Sequence, residues 1–177
     1  MHPRTRELLD YLAAQRAILR AAFDEVPPDA RDRPPAAGQW SPAAIVEHLA
    51  IVDSRIAHVL ATKIAKGCEN GLGPETSTAP ILPTIAVEQV LDRTVRIAAP
   101  EVLHPSGLDA NAAWDALERS TTALRDAVAA GDGLALSTVT HSHPLFGPHS
   151  LYYWIAFVGA HEARHAAQIR ESMRVAT

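Results

Sequence analysis

The sequence predicts an all-α fold, a four-helix bundle with a long crossover connection between its second and third helices. Three observations lead there. Four segments repeat apolar residues three and four positions apart, the spacing that gathers side chains on one face of a helix. Each segment is bounded by a proline, a glycine or a capping side chain. No segment shows the alternation of a half-buried strand, because Val139 and its neighbours form too short a run. Four amphipathic helices of this length bury their apolar faces against one another.

In the first helix Leu8, Leu12, Gln15, Leu19 and Phe23 share a face, and Pro27-Pro28 ends it. The second opens at Ser41-Pro42, a side-chain cap followed by a proline whose missing N–H costs nothing at that position. Trp40 and Ile45 flank that cap as a hydrophobic staple. Ile45, Leu49, Val52, Ile56, Val59 and Ile64 continue the stripe, with Lys63, Lys66 and Gly67 expected to close it. The third helix begins near Asp109, buries Trp114, Leu117, Thr121, Leu124 and Val128, and stops at Gly131-Asp132-Gly133. The fourth begins around Ser150 and carries Trp154, Val158, His161, His165 and Ile169 almost to the C-terminus. Between the second and third helices lie about forty residues, against roughly 2–8 for ordinary neighbours in a bundle. Pro74, Pro80, Pro83, Pro100 and Pro105 interrupt this link, and a short helical piece is expected from Val87 to Arg96.

Composition narrows the function. At 177 residues the chain has room for one domain, expected to span 1–177. A net charge of −4 offers no basic face, so nucleic acid is not an expected partner. No run approaches the roughly 20 apolar residues of a membrane span, and the N-terminus has no secretory pattern. A single cysteine, Cys68, excludes an internal disulfide and a cysteine-based zinc knuckle. The expected location is cytoplasmic, with Cys68 a free thiol in a loop.

His161 and His165 stand four apart, one helical turn, so both imidazoles project from the face that carries Trp154 and Val158. Buried neutral imidazoles need partners, and one divalent metal ion serves both. His48, between Ile45 and Leu49 on the second helix, supplies a third inward ring from a facing helix, the way bundles build metal sites. Three protein ligands leave coordination positions open, which marks a reactive site rather than a structural one. His161-Glu162-Ala163-Arg164-His165 also fits the metalloprotease pattern H-E-x-x-H, with Glu162 as base. The extended form of that pattern needs glycine at 168 and histidine at 171, where this chain has Gln168 and Glu171, so the protease reading fails. Glu162 and Glu47 adjoin ligands but point about 100° away from them, so both read as surface or interhelical pairs. Gln168, one turn beyond His165, reads as a partner of that ring or as a polar residue near the helix end. Tyr152 and Tyr153 read as packing. His141, His143 and His149 crowd a turn before the fourth helix, where a second metal site is the alternative to polar surface.

Gln39-Trp40-Ser41-Pro42 leading to Glu47-His48-Leu49 resembles the start of the second helix in the DinB-like family, damage-inducible helical-bundle proteins unrelated to the similarly named DNA polymerase. His143-Pro144-Leu145-Phe146-Gly147, Trp154 and the run from His161 to Ile169 resemble that family's last helix and its approach. The resemblance follows the order of elements over nearly the whole chain, long link included. It implies an up-up-down-down type of bundle, a three-histidine site for zinc, nickel or iron on His48, His161 and His165, and homodimerisation. Characterised relatives include bacillithiol-dependent S-transferases and mycothiol-dependent isomerases. The mycothiol branch usually has glutamate as its middle ligand, so His161 favours the all-histidine branches. The function that follows is a metal-dependent enzyme, a thiol-dependent S-transferase or a hydrolase, acting on a small-molecule substrate with or without a low-molecular-weight thiol. The alternative is a non-catalytic metal-binding stress or interaction module.

Overall fold

The computed structural model describes residues 1–95, 98–143 and 147–175. Four long helices form the bundle: α1 (Pro3–Asp24), α2 (Pro42–Glu69), α4 (Ala110–Ala130) and α5 (Leu151–Val175). The caps expected from sequence are in place. Ser41 Oγ accepts from the Ala44 N–H at 3.1 Å, and the Asp109 carboxylate accepts from the Asn111 and Ala112 N–H groups. Gly67 does not end α2. The helix continues to Glu69, and the residue that reverses the chain is Gly71, in the left-handed region at φ +80°. There the Leu72 N–H bonds the Gly67 carbonyl at 2.8 Å and the Gly71 N–H bonds the Cys68 carbonyl at 3.0 Å, a Schellman closure. Gly67 serves instead as the floor on which Leu72 folds back, since a Cβ there would stand 3.0 Å from Leu72 Cδ2. Cys68 is consequently an exposed residue of the last turn of α2 rather than of a loop.

In the link the expected helical piece is a single turn, α3 (Glu88–Leu91); Arg96, its expected end, lies outside the described residues. The reading without strands also needs correction. Thr140–His143 (β1) pairs antiparallel with Gly147–Ser150 (β2), setting His141 opposite His149. Four-residue strands are too short for alternation to show in sequence. Here tertiary contacts hold them: the Trp154 indole donates to the His141 carbonyl at 3.0 Å and the Leu151 N–H donates to the Val139 carbonyl at 3.0 Å.

Cross-contacts give the helix directions. Along α1 and α5, Arg4 faces Tyr152, Arg16 faces Glu162 and Glu25 faces Arg170, so the two helices run parallel. α2 and α4 are parallel as well, with Glu47 bonded to the Leu108 N–H before one end of α4 and Ile64 against Gly131 at the other. The two pairs oppose each other, because Phe23 at the end of α1 packs on Trp114 near the start of α4. The order is up-down-down-up, which corrects the up-up-down-down topology. A helix of 28 residues is about 42 Å long. A chain leaving the end of α2 must retrace that length before it can start α4, and the long link does so.

The link is tied down as it goes. The Arg4 guanidinium reaches Glu75, Ser77 and the Ala79 carbonyl, and the Glu7 carboxylate accepts from the Ile81 and Leu82 N–H groups. The Arg164 guanidinium holds the carbonyls of Val90, Asp92 and Val95. α1 and α5 meet closely at Gly159, where a Cβ would stand 2.5 Å from Tyr11 Cε1.

The core has two apolar clusters, one around Leu8, Leu60, Leu124 and Ile155, the other around Phe23, Leu49, Leu117 and Ile169. Between them sits a charged layer. The Arg16 guanidinium donates to both oxygens of Glu162, at 3.0 and 2.6 Å, and to Asp53 at 3.2 Å. Asp53 is fully buried and Glu162 is 2% exposed. Two carboxylates share one cation. Burial, then the adjacent Glu162 charge, holds Asp53 well above the usual carboxylate range.

Two outcomes follow from this layer. Arg16→Met strands two buried acids and is expected to cost about 3–5 kcal/mol in urea denaturation. A carboxyl whose value is raised on folding lends stability that is complete below its unfolded value, about 3.9, and is lost as pH rises through the folded value. The Asp53 contribution is therefore expected as a difference: the denaturation midpoint of the wild-type protein relative to Asp53→Asn is expected to be highest in acid and to decline as pH rises above about 4.

Candidate metal centre

The first turns of α2 and the middle of α5 meet at one level of the bundle. Ser41 starts α2 at a fixed point, and His48 falls inward, 4% exposed, with the Trp40 ring against it at 4.9 Å. On α5 the one-turn spacing of His161 and His165 stacks both rings toward His48. Ring centroids lie 5.3 Å from His48 to His161, 5.2 Å from His48 to His165 and 4.5 Å between the α5 pair. One nitrogen from each ring lies within 4.8 Å of the others, and among the described residues no other three metal-donor side chains converge so closely.

Hydrogen bonds orient two of the rings. The Leu103 carbonyl in the link can only accept, so at 2.8 Å it fixes the His48 proton on Nδ1. Gln168 Oε1 does the same for His165 Nδ1 at 2.8 Å. Each ring thereby keeps the lone pair of Nε2 toward the cluster. His161 Nε2 stands 3.1 Å from His165 Nε2, and its buried Nδ1 has no hydrogen-bond partner. Two nitrogens about 2.0–2.1 Å from a tetrahedral zinc would be roughly 3.3 Å apart, so the spacing suits one shared cation.

The surroundings keep these rings neutral, the form in which imidazole binds metal. Burial, followed by the neighbouring His48, lowers His165 to about 3. Burial also sets His161 well below the usual histidine range, with His165 and His48 adding to it, and lowers His48 despite its Leu103 bond. Phe157 stacks on His161 at 5.3 Å and 18°. His165 is 7% exposed and His161 is half-buried, so the cluster's access to solvent lies on the His161 side. The chemistry open to such a set is the holding of a divalent cation by three neutral nitrogens, with further coordination positions left over.

The other sequence candidates separate. Glu162 points to Arg16 and Asp53, away from the cluster, so no base stands where the H-E-x-x-H pattern would need one. It is an interhelical pair as expected, but a buried one. Glu47 is likewise buried and bonds the link. Gln168 is the partner of His165 rather than a mere helix-end residue. Tyr152 donates to Glu75 and to the Leu134 carbonyl, and Tyr153 stacks on His149 at 3.7 Å, both in packing roles. His141, His143 and His149 share one face of the hairpin against Trp154, Phe157 and Tyr153, without forming a second three-donor set. Residues 144–146 lie outside the described residues. The Leu103 carbonyl has no signature in sequence, being backbone.

The family model for the DinB superfamily matches residues 11–169. Among solved structures the chain is similar to the crystal structure of TT2238, a four-helix bundle protein. The two share 21% identity at a TM-score of 0.63, with 94% of this chain and 98% of that one covered, a likeness of fold. No curated protein matches the chain. Among the described residues no helix is long and apolar enough to cross a membrane.

Gln168→Leu removes the acceptor that orients His165. It is expected to lower zinc affinity by about 10–100-fold, measured by competition with a chromogenic chelator.

Proposed function

The chain belongs to the DinB superfamily, and from that premise we propose that it is a metal-dependent enzyme, a thiol-dependent S-transferase or a hydrolase, with His48, His161 and His165 as ligands. The observation that carries this reading is the convergence of three neutral histidine nitrogens within 4.8 Å, two of them on rings whose far nitrogens are already bonded. Zinc or nickel suits such a set best, with iron as a further choice. A divalent ion held there supplies Lewis acidity, which makes a nucleophile of a water or of a low-molecular-weight thiol at neutral pH. The chain's own residues do the rest. Leu103 and Gln168 hold two rings in register, while Trp40 and Phe157 shield the cluster from bulk water. In this reading the substrate is a small molecule entering on the His161 side, and the protein is a cytoplasmic homodimer.

One observation favours the alternative, a non-catalytic metal-binding stress or interaction module. His48 and His165 are almost wholly buried, which leaves only a narrow approach.

Elemental analysis of protein purified without an affinity tag is expected to give about one divalent ion per chain, and His161→Ala or His165→Ala is expected to abolish it. A turnover screen of the loaded protein against electrophiles, with and without several low-molecular-weight thiols, decides between the two readings. Activity that vanishes in His48→Ala at unchanged helicity supports the enzyme. A loaded protein inert across the panel favours the binding module.

A further inference from the structure

We propose that Glu47 is a positioning residue for His48, acting through the long link that it clamps. Glu47 immediately precedes His48 on α2, so its side chain leaves the helix about 100° around from the ring. It is 3% exposed, and among the described residues no lysine or arginine forms an ion pair with it. Its carboxylate instead gathers four donors from one short piece of the link. Oε1 accepts from the Ser106 N–H at 2.7 Å and the Ser106 hydroxyl at 2.6 Å, and Oε2 accepts from the N–H groups of Gly107 and Leu108 at 3.0 and 2.9 Å. Three consecutive backbone N–H groups turn to one anion because Gly107 adopts φ +104°, open to glycine at little cost. These bonds keep the carboxylate ionised and below its usual range in spite of burial.

The clamp lies three residues from the Leu103 carbonyl that fixes the His48 tautomer. The intervening residues give little slack. Pro105 has a restricted φ, and the His104 ring lies against Trp40 at 5.8 Å while its Nε2 bonds the Ala99 carbonyl at 2.9 Å. Adjacent residues of α2 thus grip one strap, Glu47 from the acid side and His48 from the ring side. Release of the first grip lets Leu103 drift and leaves the His48 proton free to move to Nε2, the nitrogen needed for a cation.

The metal arm of this inference rests on the reading above; the tautomer arm does not. Glu7 offers an internal control, because its carboxylate holds the Ile81 and Leu82 N–H groups of the same link far from His48. The test compares Glu47→Gln, Ser106→Ala and Glu7→Gln by long-range proton–nitrogen NMR of the His48 ring in metal-free protein, and by zinc affinity under chelator competition. Glu47→Gln is expected to turn a single Nδ1–H tautomer into a mixture and to weaken zinc by about 10–100-fold. Ser106→Ala, at an exposed residue that should fold regardless, is expected to shift both in the same direction by less. Glu7→Gln is expected to leave both unchanged. An unchanged tautomer in Glu47→Gln and Ser106→Ala overturns the proposal, and so does an equal shift in Glu7→Gln, which would make the effect one of general loosening. If wild-type protein binds none of zinc, nickel and iron, the metal reading falls and the tautomer comparison still decides the role of Glu47.

Discussion

The parallel run of α2 and α4 is the constraint from which most of this structure follows. Two neighbouring helices that point the same way cannot be joined by a turn, so the chain must travel back along the bundle before α4 can start. The returning segment tucks Ile81, Ile85 and Val90 into the core and leaves many backbone donors and acceptors to be met. It is held by charged side chains from the long helices: Arg4 and Glu7 from α1, Arg164 from α5 and Glu47 from α2. Once a strap of this kind lies across the start of α2, one of its carbonyls comes within reach of His48. The orientation of a candidate ligand is thus a by-product of how the bundle is wired.

The seven residues from Gly159 to His165 illustrate how one helical stretch serves several demands. Because successive side chains turn by about 100°, His161 and His165 face His48 while Glu162 faces Arg16 and Asp53 on another side. Gly159 lets α1 approach closely enough for Arg16 to reach that acid. The charged layer therefore fixes the angular setting of α5, and with it the direction in which the two imidazoles point. A buried ion pair seldom repays its desolvation in stability. Here it occupies the gap between two apolar clusters at the level where α1, α2 and α5 must keep their relative rotation.

Much of this was legible in the sequence because the signals were local. Ser41-Pro42 and Asp109 declare helix starts by a chemistry confined to one turn, and the spacing of His161 and His165 states their common face. The failures involve partners distant along the chain. Glu47 and Glu162 read only as surface or interhelical pairs, because nothing near them in sequence shows that a backbone nest or an arginine on α1 awaits them. Gln168, three residues from His165, keeps its ring partner among the readings open to it. Gly67 looked like a stop because the residue that supplies the left-handed turn, Gly71, follows four positions later. The hairpin before α5 is tied down in part by an indole from outside its strands, which local alternation does not reveal. Helix direction is not written in an apolar stripe at all, which is why the topology needed correcting.

The contact at Gly159 has a consequence for how this chain can diverge. A methyl group there would collide with the Tyr11 ring, and α1 could accommodate it only by sliding off α5 and taking Arg16 along. A smaller residue at position 11 would open the space. Positions 11 and 159 therefore form a covarying pair, so that among descendants of this sequence a side chain gained at one should be matched by volume lost at the other.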